Sequence, residues 1–286
     1  MDERTPGMLV VSLFRGIRLA LHLLYGMFLA VFYPHLNPTR QHRILKAWSR
    51  QLLGILNIGI YTEGLLPTRG EGGRMLIANH ISWLDIFILN ATCPSRFIAK
   101  SEVRDWPLIG WLCKRSGTIF IERDLRRNAA SINRQVGTLL EQGVCIGLFP
   151  EGTTTDGKQL GHFHSALIQP AIDAGAMLYP IALHYRNEDG EPEHAAVFTG
   201  DTTLVQSIWE ILRCRRLDAL LVFAPALIAT NGNRRVLART AQEIIAQGLQ
   251  QDIATTQQML KRQATSAIPQ APLPAQPQCC SLDRSW

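Results

Sequence analysis

Six short runs of apolar residues, separated by segments of helical length, constrain the fold of this chain more than any other feature. They are RMLIAN (74–79), SRFIAK (95–100), GTIFIE (117–122), VCIGLF (144–149), LYPIALHY (178–185) and ALLVFAPALI (219–228). Several are apolar at consecutive positions instead of alternating, which is typical of strands buried on both faces. The pattern predicts an α/β domain with a mixed, largely parallel sheet flanked by helices.

The segments between these runs have the length or the periodicity of helices. They are WLDIFILNA (83–91), WPLIGWLCKR (106–115), RRNAASINRQVGTLLEQG (126–143) and ALIQPAIDAG (166–175). The last two close on glycine, as helix ends commonly do. A longer segment, 233–263, carries an apolar stripe and is predicted to be a helix. The folded domain is therefore predicted over 58–263, and the Pro-, Gln- and Ser-rich residues 264–286 are predicted to form a disordered tail.

The N-terminal region, residues 1–57, differs from the rest. MLVVSLFRGIRLALHLLYGMFLAVFY (8–33) is apolar almost throughout and long enough to cross a bilayer, although Arg15 and Arg18 interrupt its first third. A cleaved signal peptide is disfavoured because the apolar stretch is too long. An amphipathic helical segment, RQHRILKAWSRQLLGILNIGIY (40–61), follows. The two segments predict a two-helix membrane anchor, and two arrangements remain open: a single span with snorkelling arginines, or helices lying in the plane of the interface.

The net charge indicates which partners the chain could bind, and the cysteines indicate its compartment. The 29 Lys and Arg residues outnumber the 23 Asp and Glu residues, and the net charge of +6 favours a phosphate-bearing partner or an anionic membrane surface. Nucleic acid is not predicted, because no basic run is interleaved with aromatic residues and no zinc-finger spacing occurs. No two of the first four cysteines have the spacing of a metal knuckle, so we expect no metal site. Structural disulfides are not expected either, which indicates a reducing compartment and the cytoplasmic face of the membrane.

The densest cluster of chemically useful residues is ANHISWLDI (78–86). A strand delivers Asn79 and His80 to its end, and Asp85 follows five residues after His80. A nearby carboxylate can fix the tautomer of a histidine and stabilise the imidazolium that forms when the ring takes a proton. His80 is therefore a candidate general base for a substrate that brings its own hydroxyl. A His-x4-Asp pair also recurs freely, and a helix cap beside a solvated carboxylate fits it too.

The loop GLFPEGTTTDGKQL (147–160) fits two kinds of binding site. From Gly152 to Lys158 its spacing is one residue short of a nucleotide-binding phosphate loop, but Gln159 occupies the position of the Ser or Thr that holds Mg²⁺. Asp156 would also place a carboxylate beside the bound anion. We therefore favour the alternative that starts at Phe-Pro-Glu-Gly-Thr, a substrate loop of another kind of enzyme.

In order and spacing, four blocks of this sequence resemble the glycerolipid acyltransferase family, whose best-known members are the lysophosphatidic acid acyltransferases. NHISWLD (79–85) matches the family's Asn-His-x4-Asp block, and SGTIFIERD (116–124), LFPEGTTTDG (148–157) and LYPIAL (178–183) match the next three. The resemblance implies a membrane-bound enzyme that moves a fatty acyl chain from acyl-CoA or acyl-acyl carrier protein to the free hydroxyl of a lysolipid. It also implies 1-acylglycerol-3-phosphate as the first acceptor, and neither a cofactor nor a covalent intermediate.

The same resemblance assigns roles to individual residues. It makes His80 the general base on the acceptor hydroxyl and Asp85 its orienting carboxylate. The residues that it implies for binding the acceptor are Asn79, Lys100, Gly117, Arg123, Phe149, Pro150, Glu151, Gly152 and Thr153.

One residue departs from the family pattern. After Phe-Pro-Glu-Gly-Thr the lysophosphatidate-acylating members usually carry an arginine, whereas this chain has Thr154. An arginine guanidinium can donate two charge-assisted hydrogen bonds to a phosphate, an interaction worth about 1.5–3 kcal/mol, and this chain lacks it at position 154. Lysolipids with another head group, such as lyso-ornithine lipid or a lysophospholipid, are therefore alternative acceptors. A catalytically silent lipid carrier on the same fold is a further alternative, which the intact His80 and Asp85 disfavour.

Overall fold

The computed structural model describes the backbone of residues 6–67, 72–121 and 125–266, and the side chains of residues 9–67, 72–121 and 130–250. Within these residues the chain forms one sheet with helices on both sides. The strands are Ile58–Gly64 (β1), Arg74–Ala78 (β2), Arg96–Lys100 (β3), Ile119–Ile121 (β4), Cys145–Leu148 (β5), Met177–Arg186 (β6), Leu217–Phe223 (β7) and Leu227–Ile228 (β8). The helices are Pro6–Phe32 (α1), Pro38–Ile55 (α2), Leu84–Thr92 (α3), Ile109–Arg115 (α4), Leu125–Glu141 (α5), Gln169–Asp173 (α6), Leu204–Arg213 (α7) and Arg234–Ser266 (α8).

The sheet is mixed and largely parallel, which confirms the predicted fold class. Its strand order is β1-β7-β6-β2-β5-β3-β4, and β8 lies beside β6. β6 runs parallel to β2, and parallel pairing continues through β5 and β3 to β4, whereas β7 and β8 run antiparallel to β6. Because β2, β5, β3 and β4 end at the same edge, the residues that follow these strands are brought together there.

Helices cover both faces of the sheet. On one face α2, α3 and α7 bury residues such as Leu53, Leu84 and Ile211 against the strands. On the other face α5 and α8 bury residues such as Val136 and Ile245. Burial on both sides explains why the central strands are apolar at consecutive positions.

Three elements differ from the sequence prediction. The amphipathic segment 40–61 is not one helix, because α2 ends at Ile55 and the residues from Ile58 form the edge strand β1 beside β7. The strand predicted over 219–228 divides into β7 and β8, since Pro225 lies between them and has no N–H to donate to the ladder. Helix α7 is an additional element that was not predicted from the sequence.

The two N-terminal helices have different surroundings. Among the described residues, one helical stretch, Leu9–His35, is long and apolar enough to cross a bilayer. The apolar side of α2 instead packs into the core, where Leu52, Leu53 and Leu56 are at most 2% exposed. That side of α2 is not free to contact lipid, so the predicted two-helix anchor is not confirmed beyond α1.

Helix α1 lies along the surface of the folded domain. Near its start, Arg15 Nη1 donates to the carbonyl of Cys214 at 2.8 Å, beside the last residue of α7. In its middle, the ring of His22 stacks on Trp48 of α2 with centroids 4.7 Å apart. Towards its end, the Val31 carbonyl accepts from Arg115 Nη2 of α4 at 3.3 Å. Arg15 thus interacts with the negative end of the α7 dipole, which explains a charge within an apolar helix.

Candidate active site

The candidate site lies at the edge where the parallel strands β2, β3, β4 and β5 end. The register between β2 and β5 continues past both strands and places His80 beside Glu151. The side chain of Asn79 extends the hydrogen bonding between β2 and β6 beyond the end of β2. Its amide donates to the Leu183 carbonyl at 3.0 Å and accepts from the Leu183 N–H at 2.8 Å. Asn79 is fully buried, and its amide fixes the direction in which the chain leaves the sheet towards His80.

His80 and Asp85 form a hydrogen-bonded pair. His80 Nδ1 lies 2.7 Å from Asp85 Oδ2. An ionised carboxylate only accepts, so Nδ1 carries the proton and Nε2 keeps its lone pair. Asp85 is fully buried while the His80 side chain is 17% exposed, so an incoming molecule can reach the imidazole but not the carboxylate. Asp85 also lies in the first turn of α3, where the helix dipole favours negative charge.

Four donors surround the Asp85 carboxylate. Besides His80, the N–H groups of Ile81 and Ser82 donate to Oδ2 at 2.8 and 2.9 Å. The hydroxyl of Tyr185, from β6, donates to Oδ1 at 2.5 Å. Burial raises the pKa of Tyr185 well above its ordinary value, and the neighbouring Asp85 charge adds to the shift, so the hydroxyl keeps its proton. These bonds hold the carboxylate in one orientation towards His80.

A stack of aromatic rings covers one face of the imidazole. The ring of Phe149 is stacked on His80, with centroids 4.0 Å apart and planes inclined by 8°. Phe97 stacks in turn on Phe149 at 5.6 Å. Gly147 makes room for this arrangement, because a Cβ at that position would come within 2.3 Å of the Phe97 ring. The stack and the bond to Asp85 together fix the plane of the His80 ring.

Glu151 ties the loop after β5 to the backbone of His80. Its Oε1 accepts from the His80 N–H at 2.8 Å, and its Oε2 accepts from the Gly161 N–H at 2.7 Å. The Thr155 N–H adds a bond to the His80 carbonyl at 2.8 Å. Glu151 is 6% exposed, and burial is the main cause of its raised pKa. Both carboxylate oxygens serve backbone groups, a positioning role that the sequence did not predict.

The other residues predicted to bind the acceptor lie along the same edge of the sheet. Lys100 ends β3 and is exposed. Gly117 precedes β4 with a φ of +83°, and Gly152 turns the loop after β5 with a φ of +69°. Thr153 is exposed on that loop. Arg123 lies outside the described residues. Their contacts with an acceptor stay predictions.

Thr154 contacts a backbone carbonyl. Its hydroxyl donates to the carbonyl of Phe198, whose N–H donates to the Ile81 carbonyl at 3.0 Å. Earlier in the same loop, Pro150 is buried and its carbonyl accepts from the His164 N–H at 2.9 Å. Position 154 thus joins the loop, through Phe198, to the segment that follows His80, and it supplies no cation there.

The geometry of a nucleotide-binding phosphate loop is not found between β5 and α6. Such a loop presents free N–H groups to the phosphate and leads directly into a helix. Here three of the N–H groups donate within the protein, and the next helical turn begins only at Ser165. These are the N–H groups of Gly152, Thr155 and Lys158. Over the residues that the structure describes, no group of three His, Cys, Asp or Glu side chains could hold a metal ion.

Comparison with known proteins adds independent information. The sequence model of the family named Acyltransferase matches residues 58–184. A lyso-ornithine lipid O-acyltransferase from Pseudomonas aeruginosa is 36% identical over 221 residues, which cover 77% of this chain and 83% of that protein. A 1-acyl-sn-glycerol-3-phosphate acyltransferase from Neisseria gonorrhoeae is 38% identical over 186 residues, 65% of this chain and 72% of that protein.

A solved structure supports the same fold. The crystal structure of the 1-acyl-sn-glycerophosphate (LPA) acyltransferase PlsC from Thermotoga maritima aligns with a TM-score of 0.54 at 20% identity, covering 83% of this chain and 97% of that one. This likeness concerns the arrangement of the strands and helices, whereas the family assignment rests on the sequence matches. With the His80–Asp85 pair at the end of β2 and these relatives, the chain belongs to the acyltransferase family.

Proposed function

We propose that this protein transfers a fatty acyl group from a thioester to the free hydroxyl of a lysolipid, with His80 as the general base. The observation that carries the proposal is the bond between His80 Nδ1 and the buried Asp85 at 2.7 Å, which leaves Nε2 able to accept a proton. The names of the relatives, acyltransferases of lysophosphatidate and of lyso-ornithine lipid, support the reaction class.

The mechanism is direct transfer in one addition and one elimination. His80 Nε2 takes the proton of the acceptor hydroxyl while that oxygen bonds to the thioester carbonyl carbon. Asp85 stabilises the imidazolium that forms. The tetrahedral oxyanion then collapses, the carbon–sulfur bond breaks, and the departing thiolate takes the proton from Nε2. The enzyme returns to its starting state without a covalent intermediate, and the donor is acyl-CoA or acyl-acyl carrier protein.

The choice of acceptor depends on position 154. The resemblance to the lysophosphatidate-acylating enzymes implies 1-acylglycerol-3-phosphate first, and an arginine at this position would provide a fork for its phosphate. Thr154 instead donates to the carbonyl of Phe198 and brings no charge. We therefore infer that a lysolipid without a phosphomonoester, such as lyso-ornithine lipid, is the preferred acceptor and that lysophosphatidate is the second candidate.

We further infer that α1 lies in the plane of the membrane interface. Its contacts with α7, α2 and α4 run from its first turns to its end, so one side of the helix follows the folded domain throughout. The opposite side exposes large apolar side chains, among them Phe14, Ile17, Leu21, Leu24 and Phe28. A helix held in this way along the domain cannot cross the bilayer unless the domain enters it.

The reaction is tested with the purified full chain and a labelled acyl thioester. Lysophosphatidate and lyso-ornithine lipid are offered separately and in competition. We expect acylation of lyso-ornithine lipid to exceed that of lysophosphatidate, and His80→Ala to remove acylation of both. His162→Ala is the matched control, because His162 is an exposed histidine of the loop after β5. Activity that survives in His80→Ala would contradict the mechanism, whereas a preference for lysophosphatidate would contradict only the choice of acceptor.

The orientation of α1 is tested in sealed vesicles. A tag that precedes α1 and a probe attached at His35→Cys should be accessible from the same side if the helix lies in the interface. Accessibility from opposite sides would show that α1 spans the bilayer.

A further inference from the structure

We propose that Tyr185 is a positioning residue of the acyl-transfer site: its hydroxyl holds the Asp85 carboxylate against His80 and sets how firmly that carboxylate retains the proton on the imidazole. The inference rests on the proposed function, because it concerns the efficiency of His80 as a base. Tyr185 does not reach the substrate in this account, since Asp85 lies between it and the imidazole.

The position of Tyr185 is set by the pairing of β6 with β2. The Asn79 amide binds both backbone groups of Leu183, which locks β6 against the exit from β2. Tyr185 follows two residues later and therefore points to the same face of the sheet as Leu183. Its ring is 5% exposed and its hydroxyl meets Asp85 at 2.5 Å. The same clamp that places His80 thus places the tyrosine that supports its partner.

The two carboxylate oxygens of Asp85 accept different numbers of hydrogen bonds. Oδ2 accepts from His80 and from two backbone N–H groups. For Oδ1 the described part of the chain provides one hydrogen-bond donor, the Tyr185 hydroxyl. Without that hydroxyl Oδ1 would be buried and unsatisfied, and the carboxylate could turn about its Cβ–Cγ bond. Its negative charge would also be less dispersed, so that it would attract the imidazolium more strongly.

The titratable groups near Asp85 differ in what they bind. The titratable groups that face the pair include Glu151 from the loop after β5, which accepts from backbone N–H groups, and Tyr185 from β6. Burial, followed by the Asp85 charge, raises the pKa of Tyr185, so its hydroxyl remains a donor throughout the working pH range.

The test is the pH profile of kcat/KM in Tyr185→Phe. We expect the acidic limb to move to higher pH by about half a unit to one unit, because the less stabilised carboxylate holds the proton on His80 more tightly. We also expect kcat to fall about tenfold while KM for the lysolipid changes less than about twofold. Incorporating 3-fluorotyrosine at position 185, which makes the hydroxyl a stronger donor, should move the limb in the opposite direction.

Two comparisons separate this role from general support of the core. Tyr179→Phe removes a buried tyrosine hydroxyl from the same face of β6, about 20 Å along the strand, and should leave the limb in place. In an Asp85→Asn background the effect of Tyr185→Phe on the pH profile should vanish. An unmoved limb in folded Tyr185→Phe, or an equal shift in Tyr179→Phe, would overturn the inference. Retained activity in His80→Ala would instead contradict the proposed general-base mechanism itself.

Discussion

Replacing Thr154 by arginine examines whether this position selects the acceptor. The substitution removes the hydroxyl that donates to the Phe198 carbonyl and adds a guanidinium to the loop that contacts His80. The neighbouring Thr155 keeps its backbone bond to the His80 carbonyl. The catalytic pair is therefore expected to survive, and the change should fall on acceptor binding.

The magnitude follows from two contributions. Loss of the neutral bond to Phe198 costs about 0.5–1.5 kcal/mol, but the loop carries this cost whichever acceptor is bound. A guanidinium fork on a phosphate contributes about 1.5–3 kcal/mol and acts only on the phosphate-bearing acceptor. The loop cost cancels in the ratio of the two kcat/KM values. We therefore expect Thr154→Arg to raise the ratio of lysophosphatidate to lyso-ornithine lipid about 10- to 150-fold.

The ratio is measured with both acceptors competing for one labelled acyl thioester in mixed micelles. Thr154→Val is the matched control, because it removes the hydroxyl and adds no charge; it should slow both acceptors and change the ratio less than about twofold. A folded, active Thr154→Arg enzyme with an unchanged ratio would refute the role of position 154. An equal shift in Thr154→Val would assign the selectivity to the shape of the loop instead of to charge.

Three further variants probe the site. Asp85→Asn keeps one acceptor oxygen but loses the charge and leaves at least one buried donor unpaired, so steady-state rates should fall about 10²- to 10⁴-fold and the fold should lose about 1–3 kcal/mol; a folded variant of full activity would count against the dyad. Glu151→Gln leaves one of two backbone N–H groups without an acceptor and should destabilise the fold by about 1–3 kcal/mol in denaturant unfolding, and an unchanged midpoint would contradict its tethering role. Gly147→Ala places a Cβ 2.3 Å from the Phe97 ring and should cost about 1–3 kcal/mol and lower kcat. Gly137→Ala, on α5 with nothing within 4 Å, is its control and should stabilise the protein by about 0.5–1 kcal/mol.

The sheet was predictable because its central strands are buried on both faces and are therefore apolar at consecutive positions. The edge strand β1 was not predicted, because four of its seven residues are exposed and it is not buried on both faces. It also follows α2 after only two residues, one of which, Asn57, adopts a φ of +59° and turns the chain. Helix α7 did carry a local signal: Thr203 and Gln206 form a capping box at its start.

The contact between His80 and Asp85 was predictable for a different reason. His80 and Asp85 are five residues apart, so one short loop can bring them together whatever the rest of the fold does. Tyr185 is 100 residues from Asp85 in sequence, and its contact exists only because β6 pairs with β2 in one register. The bond from Thr154 to Phe198 likewise depends on how two distant loops meet. Such contacts are consequences of topology and leave no mark in local composition.

The residues that hold His80 in place are different from the residue that we propose selects the acceptor. Glu151 and Thr155 hold the backbone of His80 from one side, and Asp85 holds its ring from another. None of these bonds involves the side chain at position 154. A substitution at Thr154 is therefore expected to leave His80 in place, because the side chain at position 154 makes its hydrogen bond to Phe198.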